Sequence, residues 1–202
     1  MPAVRGVMWL RRDAHSFRRH VAHHAAMAKA NQGNRTRDPR NAICLRVERG
    51  VREALAAQWP LSPRHVLRWE ARDLRQRWIE KFREHDGVFD CPDGTRVVLE
   101  VKSSASRSTI EHGLAQLREM LAVTAGLAPR TVGLLAVADL GALSDLFGQA
   151  AADPLANYFA EKAPLLDWPP RCLPPGAARC LVTLVPAAMV QACLAEPAEV
   201  LS

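Results

Sequence analysis

Three charged residues in the stretch 84–116 have types and spacing suited to binding a cation and a phosphate. Asp86 stands 14 positions (100 − 86) before Glu100, and Glu100-Val101-Lys102 is an acid-x-lysine triplet. The apolar residues around the triplet predict a short buried strand. Residues two apart in a strand point to the same face, so Glu100 and Lys102 project together. Because an isolated buried charge is costly, these side chains need partners, which a divalent metal and a phosphate would supply.

A predicted turn places Asp86 beside this triplet. Residues 91–95 read Cys-Pro-Asp-Gly-Thr, and proline followed by Asp-Gly is typical of a hairpin turn. The hairpin would fold Asp86 back alongside Glu100, so that two carboxylates converge, as a hard cation such as Mg²⁺ requires. A second interpretation is open. Asp86-Gly87 would be an ordinary turn, and the triplet would be one face of an exposed edge strand with a cross-strand ion pair.

The pattern D-x13-E-x-K, on a hairpin followed by a helix, resembles the PD-(D/E)XK nuclease superfamily, which has the restriction-endonuclease-like fold. The proline of the superfamily's name is replaced here by His85. The resemblance covers residues 43–140, about half of the chain. Because the motif is short and degenerate, its specificity comes from its context of hairpin, apolar strand and following helix.

The resemblance implies hydrolysis of DNA phosphodiester bonds with Mg²⁺ or Mn²⁺ as the cofactor. It implies that Asp86, Glu100 and the backbone carbonyl of Val101 ligate the metal. The metal would lower the pKa of a bound water molecule and stabilise charge on the phosphate. Lys102 would hold that water or help to deprotonate it, and would neutralise the developing negative charge.

Two further residues are candidates by resemblance. Many members of the superfamily carry another glutamate on the helix before the sheet. On the helix predicted here, Glu48 falls at the edge of the apolar face and Glu53 almost opposite, so the geometry selects Glu48. An i, i+4 ion pair between Glu48 and Arg52 explains Glu48 equally well. Gln116 is similar to a glutamine that helps to orient the site in RecB-type nucleases, although a surface position explains it slightly better.

The charge distribution favours a polyanionic partner, and nucleic acid is the first candidate. Residues 1–85 hold 19 Lys or Arg against 8 Asp or Glu, whereas the remainder holds 8 against 13. Arginine suits phosphate because its planar fork donates two hydrogen bonds at once. The arginines expected to bind the DNA backbone are Arg18, Arg19, Arg35, Arg37 and Arg40. A solvated arginine-rich surface is the alternative.

Histidines cluster in the same basic segment, at His15, His20, His23 and His24. His20 and His24 are four apart, so they would share a helix face and in principle a metal. No cysteine or obvious carboxylate completes such a site. A phosphate-facing or solvated helix is therefore favoured over a metal site.

Periodicity and turn residues predict a mixed α/β chain. Helices are expected at 13–30, 43–59, 109–125, 143–151, 155–163 and 187–194. Strands are expected at 76–83, 85–90, 96–102, 131–138 and 180–185. The resulting order, a helix, a three-stranded hairpin sheet, a helix and a strand, matches the restriction-endonuclease-like core. Trp69 and Trp78 are expected in the core rather than on nucleobases.

The expected organisation is a basic N-terminal helical arm at 1–42, a nuclease-like core at 43–141 and a C-terminal α/β extension of the same domain at 142–202. Five cysteines without a C-x-x-C pair indicate reduced thiols in a cytoplasmic protein. No signal peptide is apparent. The longest apolar run, 132–138, is too short to cross a bilayer, so no membrane partner is expected.

DNA is the expected partner. A homodimer, or a subunit of a larger DNA-processing complex, would fit, because cutting both strands often uses two active sites. A non-catalytic nucleic-acid-binding or assembly subunit of a DNA-processing or defence complex is an alternative from another class. A third is an interaction protein that docks through residues 141–202. The sequence does not decide between duplex, junction, single-stranded or RNA substrates, or between phage defence, repair and recombination.

Overall fold

A computed structural model describes residues 3–31, 39–104, 106–127, 130–138, 162–171, 173 and 179–195. The side chains of residues 26–31 and 39–41 lie outside the description. The described helices are α1 (His15–Asn31), α2 (Pro39–Ala56), α3 (Arg107–Val123) and α4 (Ala187–Ala195). The described strands are β1 (Val4–Leu10), β2 (Val66–Arg72), β3 (Trp78–Glu84), β4 (Gly87–Asp90), β5 (Arg96–Lys102), β6 (Thr131–Val137), β7 (Leu165–Leu166) and β8 (Cys180–Leu184).

The strands form two sheets. β1, β2 and β3 make an antiparallel sheet, and β4, β5, β6, β8 and β7 make a mixed sheet in that order. β4 and β5 are antiparallel neighbours, whereas β5, β6, β8 and β7 run parallel. The described residues therefore have the mixed α/β class expected from the sequence. The restriction-endonuclease-like core within that class stays a prediction.

The expected three-stranded hairpin sheet is wrong in one respect, because its first strand belongs to the other sheet. β3 pairs along its whole length with β2. The sequence pattern does not predict β2, since arginine, glutamate and tryptophan intermix in residues 64–77 and obscure the alternation. After β3 ends at Glu84, the chain enters the second sheet through His85 and Asp86.

The five-stranded sheet lies between two apolar layers, which explains why its inner strands are almost continuously apolar. One layer joins α2 and α4 to one face of the sheet and includes Val47, Val51, Leu55, Leu99, Val101 and Val190. The other joins α3 and β2 to the opposite face and includes Leu67, Trp69, Val98, Ile110, Leu114 and Leu135. Burial on both faces puts β5 and β6 at the centre of the described structure.

The N-terminal region is more than a helical arm. α1 confirms the predicted helix, but β1 precedes it and pairs with β2. Val4, Val7 and Trp9 of β1 pack against the core on the α3 side. Phe17 of α1 is buried, and its ring centroid lies 5.9 Å from that of Phe82 in β3. The described part of this region is therefore packed onto the small sheet.

The remaining described elements agree with the expected ones. α2, β4, β5, α3, β6, β8 and α4 lie close to their predicted bounds, although α2 already begins at Pro39. β8 pairs with β6, so the C-terminal region extends the sheet. The helices predicted at 143–151 and 155–163 lie outside the described residues. No helix in the described part is both long and apolar enough to cross a bilayer.

Candidate active site at the end of the central hairpin

Asp86 lies where the chain passes from β3 into β4. Gly87 stands opposite Leu99 in the β4–β5 pair, which brings Asp86 to the end of β5. The Asp86 Oδ2 atom accepts a 2.6 Å hydrogen bond from the Val101 N–H. The Arg52 guanidinium donates to the Asp86 backbone carbonyl at 3.1 Å. The hairpin thus brings the Asp86 carboxylate to the triplet, as the predicted turn implied.

Glu100 and Lys102 form an ion pair on β5, with Lys102 Nζ 2.6 Å from Glu100 Oε1. The side chain of Glu100 is only 9% exposed and that of Lys102 17%. β5 lies between β4 and β6, so the interpretation of the triplet as part of an exposed edge strand is wrong. Removing one partner of so buried a pair would leave an uncompensated charge, which is strongly unfavourable.

Helix α3 leaves room for the lysine at Gly113. A Cβ atom at this position would lie 3.1 Å from Lys102 Cε and 2.7 Å from Leu135 Cδ1. The helix begins at Arg107, and the side chain of the preceding Ser106 caps it by accepting from the Thr109 N–H. Nothing in the motif points to Gly113, because the contact exists only once α3 is packed on β5 and β6.

Negative charge accumulates around Asp86. Burial, followed by the Glu100 charge, raises the pKa of the Asp86 carboxyl from 3.8 to about 7. The hydrogen bond from the Val101 N–H opposes this shift in pKa. Burial and the Glu100 charge also raise the pKa of Glu48, and the Lys102 charge opposes that rise. Three acidic groups therefore act on one another in a partly buried region, an arrangement that a bound cation would relieve.

The electrostatic coupling distinguishes the two glutamates of α2. Glu48 is half-buried and coupled to the acidic cluster, whereas Glu53 is 67% exposed and 3.9 Å from Arg49. Arg52 lowers the pKa of Glu48 by its charge, but its guanidinium hydrogen-bonds to the carbonyl of Asp86. The placement agrees with the selection of Glu48 over Glu53, and a catalytic role for Glu48 stays a prediction.

Gln116 is half-buried on α3, and its Oε1 atom is buried without a hydrogen-bond partner in the described part of the chain. Its backbone carbonyl accepts a 3.0 Å hydrogen bond from Arg83 of β3, which also binds the Glu119 carboxylate at 2.7 Å. A buried acceptor without a donor is unfavourable, so this side chain does not behave as a solvated surface residue. An orienting role in the site stays a prediction.

The groups that could hold a divalent cation are the two carboxylates and the backbone carbonyl of Val101. One oxygen of Asp86 is occupied by the Val101 N–H and one oxygen of Glu100 by Lys102. The second oxygen of each carboxylate makes no hydrogen bond to the described residues. Hard oxygen ligands of this kind suit Mg²⁺ or Mn²⁺, with water completing the shell. Within the described ranges, no three His, Cys, Asp or Glu side chains form a metal-binding group.

The structure describes only some of the predicted DNA-binding arginines. Arg18 and Arg19 are exposed on α1, and Arg18 Nε donates to the Asp13 carbonyl at 2.9 Å. Arg40 lies in the first turn of α2, where its side chain is not described, and residues 35 and 37 lie outside the described residues. Their contact with nucleic acid stays a prediction.

The histidines of α1 pack beside the small sheet. The His20 ring lies 4.6 Å from the Phe82 ring and 4.3 Å from the His24 ring, measured between centroids. Burial, followed by the His24 charge, lowers the pKa of His20. An open cleft of about 300 Å³ is lined by Ser16, Arg19, His20, His23, Glu80 and Phe82. Its histidines are placed by aromatic packing.

His85, which stands at the proline position of the resembled motif, is buried with 2% exposure. Neither ring nitrogen has a hydrogen-bond partner among the described residues. Burial, followed by the Arg83 charge, lowers the pKa of His85 to about 3, so the ring is neutral at physiological pH. Its ring centroid lies 5.7 Å from that of Trp9 in β1. The residue next to Asp86 therefore packs in the junction between the sheets.

Comparisons of the chain with protein-family models, with curated proteins and with solved structures found no match. The resemblance to PD-(D/E)XK nucleases therefore stays an interpretation of the residues from Asp86 to Lys102 and their context. The chemistry of the site has to be argued from the contacts of these residues.

Proposed function

We propose that the protein is a metal-dependent nuclease that hydrolyses phosphodiester bonds in DNA. One observation carries the proposal: the Asp86 carboxylate hydrogen-bonds to the Val101 N–H at 2.6 Å, directly beside the Glu100–Lys102 ion pair. Two carboxylates, a backbone carbonyl and a lysine then stand at the end of one hairpin. This set combines hard cation ligands with a cationic hydrogen-bond donor.

We assign each residue a role that its contacts allow. Asp86, Glu100 and the Val101 carbonyl would hold Mg²⁺ or Mn²⁺, which when bound lowers the pKa of water and neutralises phosphate charge. Lys102 is positioned by Glu100, and its ammonium group donates to the attacking water or to a phosphate oxygen. Glu48, which is coupled to the same charges, assists as a base or outer ligand.

DNA is the proposed substrate because the first half of the chain is strongly basic. Residues 1–85 hold 19 Lys or Arg against 8 Asp or Glu. Arginine side chains bind phosphate through two parallel hydrogen bonds, so such a surface favours a nucleic-acid backbone. A homodimer, or a subunit of a larger DNA-processing complex, would bring two sites to the two strands.

The first test is nicking of supercoiled plasmid by the purified full chain, with Mg²⁺, with Mn²⁺ and with EDTA. Lys102→Ala is expected to reduce metal-dependent nicking about 100-fold or more, because it removes both the group that holds the attacking water and the charge that stabilises the phosphate. Lys162→Ala, at an exposed lysine, is the matched control. Equal nicking by both variants, or no cleavage of plasmid, junctions, single strands or RNA, would refute the proposal.

A second candidate is a non-catalytic nucleic-acid-binding or assembly subunit. The short Glu100–Lys102 distance favours it, because a purely structural ion pair would have the same geometry. The two functions differ in metal binding. A binding subunit would gain no thermal stability from Mg²⁺, whereas the nuclease would gain stability from Mg²⁺.

A further inference from the structure

The turn between β2 and β3, residues 73–77, is closed by hydrogen bonds to one side chain. Asp73 Oδ1 accepts from the backbone N–H groups of Arg75 and Arg77 at 2.8 and 2.9 Å. Its Oδ2 atom accepts from the Arg77 guanidinium at 3.0 and 2.9 Å. Gln76 takes the left-handed conformation with φ of 60°, which the turn imposes on a non-glycine residue. The hairpin therefore ends in a turn whose backbone conformation is fixed by Asp73; this turn is the hairpin tip.

Leu74 projects from this turn into solvent. Its relative exposure is 102%, against 56% for Leu45, the next most exposed of the large apolar residues in the described part. A leucine with no contact inside the chain contributes nothing to the core, and a polar residue would serve the turn better. Its side chain is therefore available to a partner, although a single exposed leucine does not by itself require one.

Cationic groups surround the apolar tip. Residues 72–78 hold three arginines against one aspartate, a net charge of 3 − 1 = +2. Arg5 lies over the Trp78 ring at 4.2 Å from its centroid, and Arg72 lies 5.2 Å from it. Trp78 therefore lies on the outer face of the small sheet, and its expected place in the core is wrong. The Arg75 guanidinium makes no ion pair with the described residues, so its charge is left for a partner.

We propose that this hairpin tip is a DNA-contacting wedge, with Leu74 entering the minor groove of a duplex and Arg72 and Arg75 contacting the flanking phosphates. Apolar wedges between base steps combined with arginines on the backbone are a general way of binding and kinking duplex DNA. The charge of the tip is complementary to phosphate, and the hydrogen bonds to Asp73 order the turn before binding, which lowers the entropy lost. The inference rests on the proposed DNA substrate, but not on catalysis.

The separation between the wedge and Asp86 indicates how long a duplex bound at both places would have to be. Trp78 lies six residues (84 − 78) before Glu84 in β3, and Asp86 follows two positions later. At a rise of about 3.3 Å per residue, the Trp78 end of β3 is about 20 Å from its Glu84 end, and the tip lies beyond Trp78. That span is about six base pairs of duplex. A duplex bound both by the wedge and by the site would therefore have to extend at least that far beyond the cleavage point.

The test is DNA binding in EDTA, where no cleavage occurs, measured by fluorescence anisotropy with a duplex of about 24 base pairs. Arg75→Ser is expected to raise Kd about tenfold and to reduce the slope of log K against log salt by about one, because a phosphate contact is lost. Leu74→Ser is expected to abolish the fluorescence rise of a 2-aminopurine that wild-type protein unstacks. Leu45→Ser and Arg171→Ser are the matched controls at exposed positions elsewhere.

Each result bears on one proposal. Loss of the 2-aminopurine signal in Leu74→Ser alone supports the wedge, even if plasmid is never cleaved and the nuclease proposal fails. Wild-type Kd and unstacking in both tip variants overturn the wedge, even if Lys102→Ala abolishes cleavage. Leu74-dependent sedimentation with phosphatidylserine vesicles, without an effect on DNA, also overturns it.

Discussion

The Asp86 carboxyl holds its proton more tightly than an ordinary aspartate because burial and the neighbouring acids disfavour its charge. Its pKa in the folded protein is about 7, against 3.8 for an unperturbed group. The folded state therefore binds the proton more strongly than the unfolded state. Stability from this group is present at low pH and is lost as the pH rises through the window from about 4 to about 7. Above pH 7 the buried charge of Asp86 therefore lowers the stability of the fold.

Asp86→Asn is expected to stabilise the fold at pH 8 by roughly 2 to 4 kcal/mol, since about 1.4 kcal/mol corresponds to each unit of pKa shift. The amide oxygen still accepts from the Val101 N–H, but the repulsion with Glu100 disappears. At pH 4 the gain is expected to be small, because Asp86 is then protonated when folded and half-protonated when unfolded. Urea unfolding at the two pH values measures the difference. An equal gain at both would show that charge is not the cause.

Glu48→Gln is expected to reduce metal-dependent nicking about tenfold, because it removes a charge that is coupled to Glu100 and Lys102. Glu53→Gln, on the same helix but exposed and beside Arg49, is the matched control and is expected to cleave as wild type. Nicking rates at saturating Mg²⁺ are the readout. Equal rates in the two variants would make Glu48 a structural residue only.

At the scale of elements, the site is built by a hairpin and a helix that meet on β5. The turn at 91–95 brings Asp86 to the strand, and α3 covers the face from which Lys102 projects. One position of the covering helix must lack a side chain so that the aliphatic part of Lys102 can pack against it. Gly113 supplies that position, and a glycine inside a helix costs about 1 kcal/mol relative to alanine.

Gly113→Ala is expected to destabilise the protein by roughly 1 to 3 kcal/mol, because its Cβ would lie 2.7 Å from Leu135 Cδ1 and overpacking outweighs the gain in helix propensity. Adding Leu135→Val removes that clash and is expected to restore stability. The remaining 3.1 Å contact with Lys102 is expected to keep nicking low in the double variant. Urea unfolding and nicking rates separate the two effects.

The matched control is Gly126→Ala, where a Cβ atom meets nothing within 4 Å. It is expected to leave both stability and nicking unchanged. Full recovery of nicking in the double variant at 113 and 135 would show that Gly113 serves packing and does not position the lysine.

At the scale of the whole molecule, the acidic cluster lies at the junction between the two sheets. Asp86 follows β3 of the small sheet and precedes β4 of the large one, and His85 beside it is buried against β1. A cation bound at this junction stabilises the native state alone, by an amount set by its concentration relative to Kd. Binding at Asp86 and Glu100 is therefore expected to raise the stability of both sheets together.

Mg²⁺ at about 100 times its Kd is expected to raise the Tm by about 5 °C or more at pH 8, from the roughly 2.7 kcal/mol that such saturation supplies. The shift is expected to be smaller at pH 5, where protons compete for Asp86. Differential scanning fluorimetry with and without EDTA measures it. Asp86→Ala is expected to abolish the shift and Glu53→Gln to keep it. A shift that survives in Asp86→Ala would place the cation elsewhere.

Local patterns were sufficient for the hairpin and the site. Alternation along β5 is a property of a few consecutive residues, and Asp-Gly turns are encoded by backbone conformational preference, so Asp86, Glu100 and Lys102 could be brought together without a structure. The helical period of α2 likewise separated Glu48 from Glu53. These inferences depend on neighbours within one or two turns of chain, where sequence spacing and spatial spacing are linked.

The sequence by itself determined which residues could form the site, because period-two alternation and turn chemistry act over short separations. Only the tertiary structure decided that β3 pairs with β2 in a separate sheet, that Gly113 admits the Lys102 side chain and that Trp78 lies between arginines outside the core. Each of these depends on contacts between segments far apart in the chain. Local periodicity predicts which face of an element is apolar, but the packing of the whole molecule determines which element covers that face.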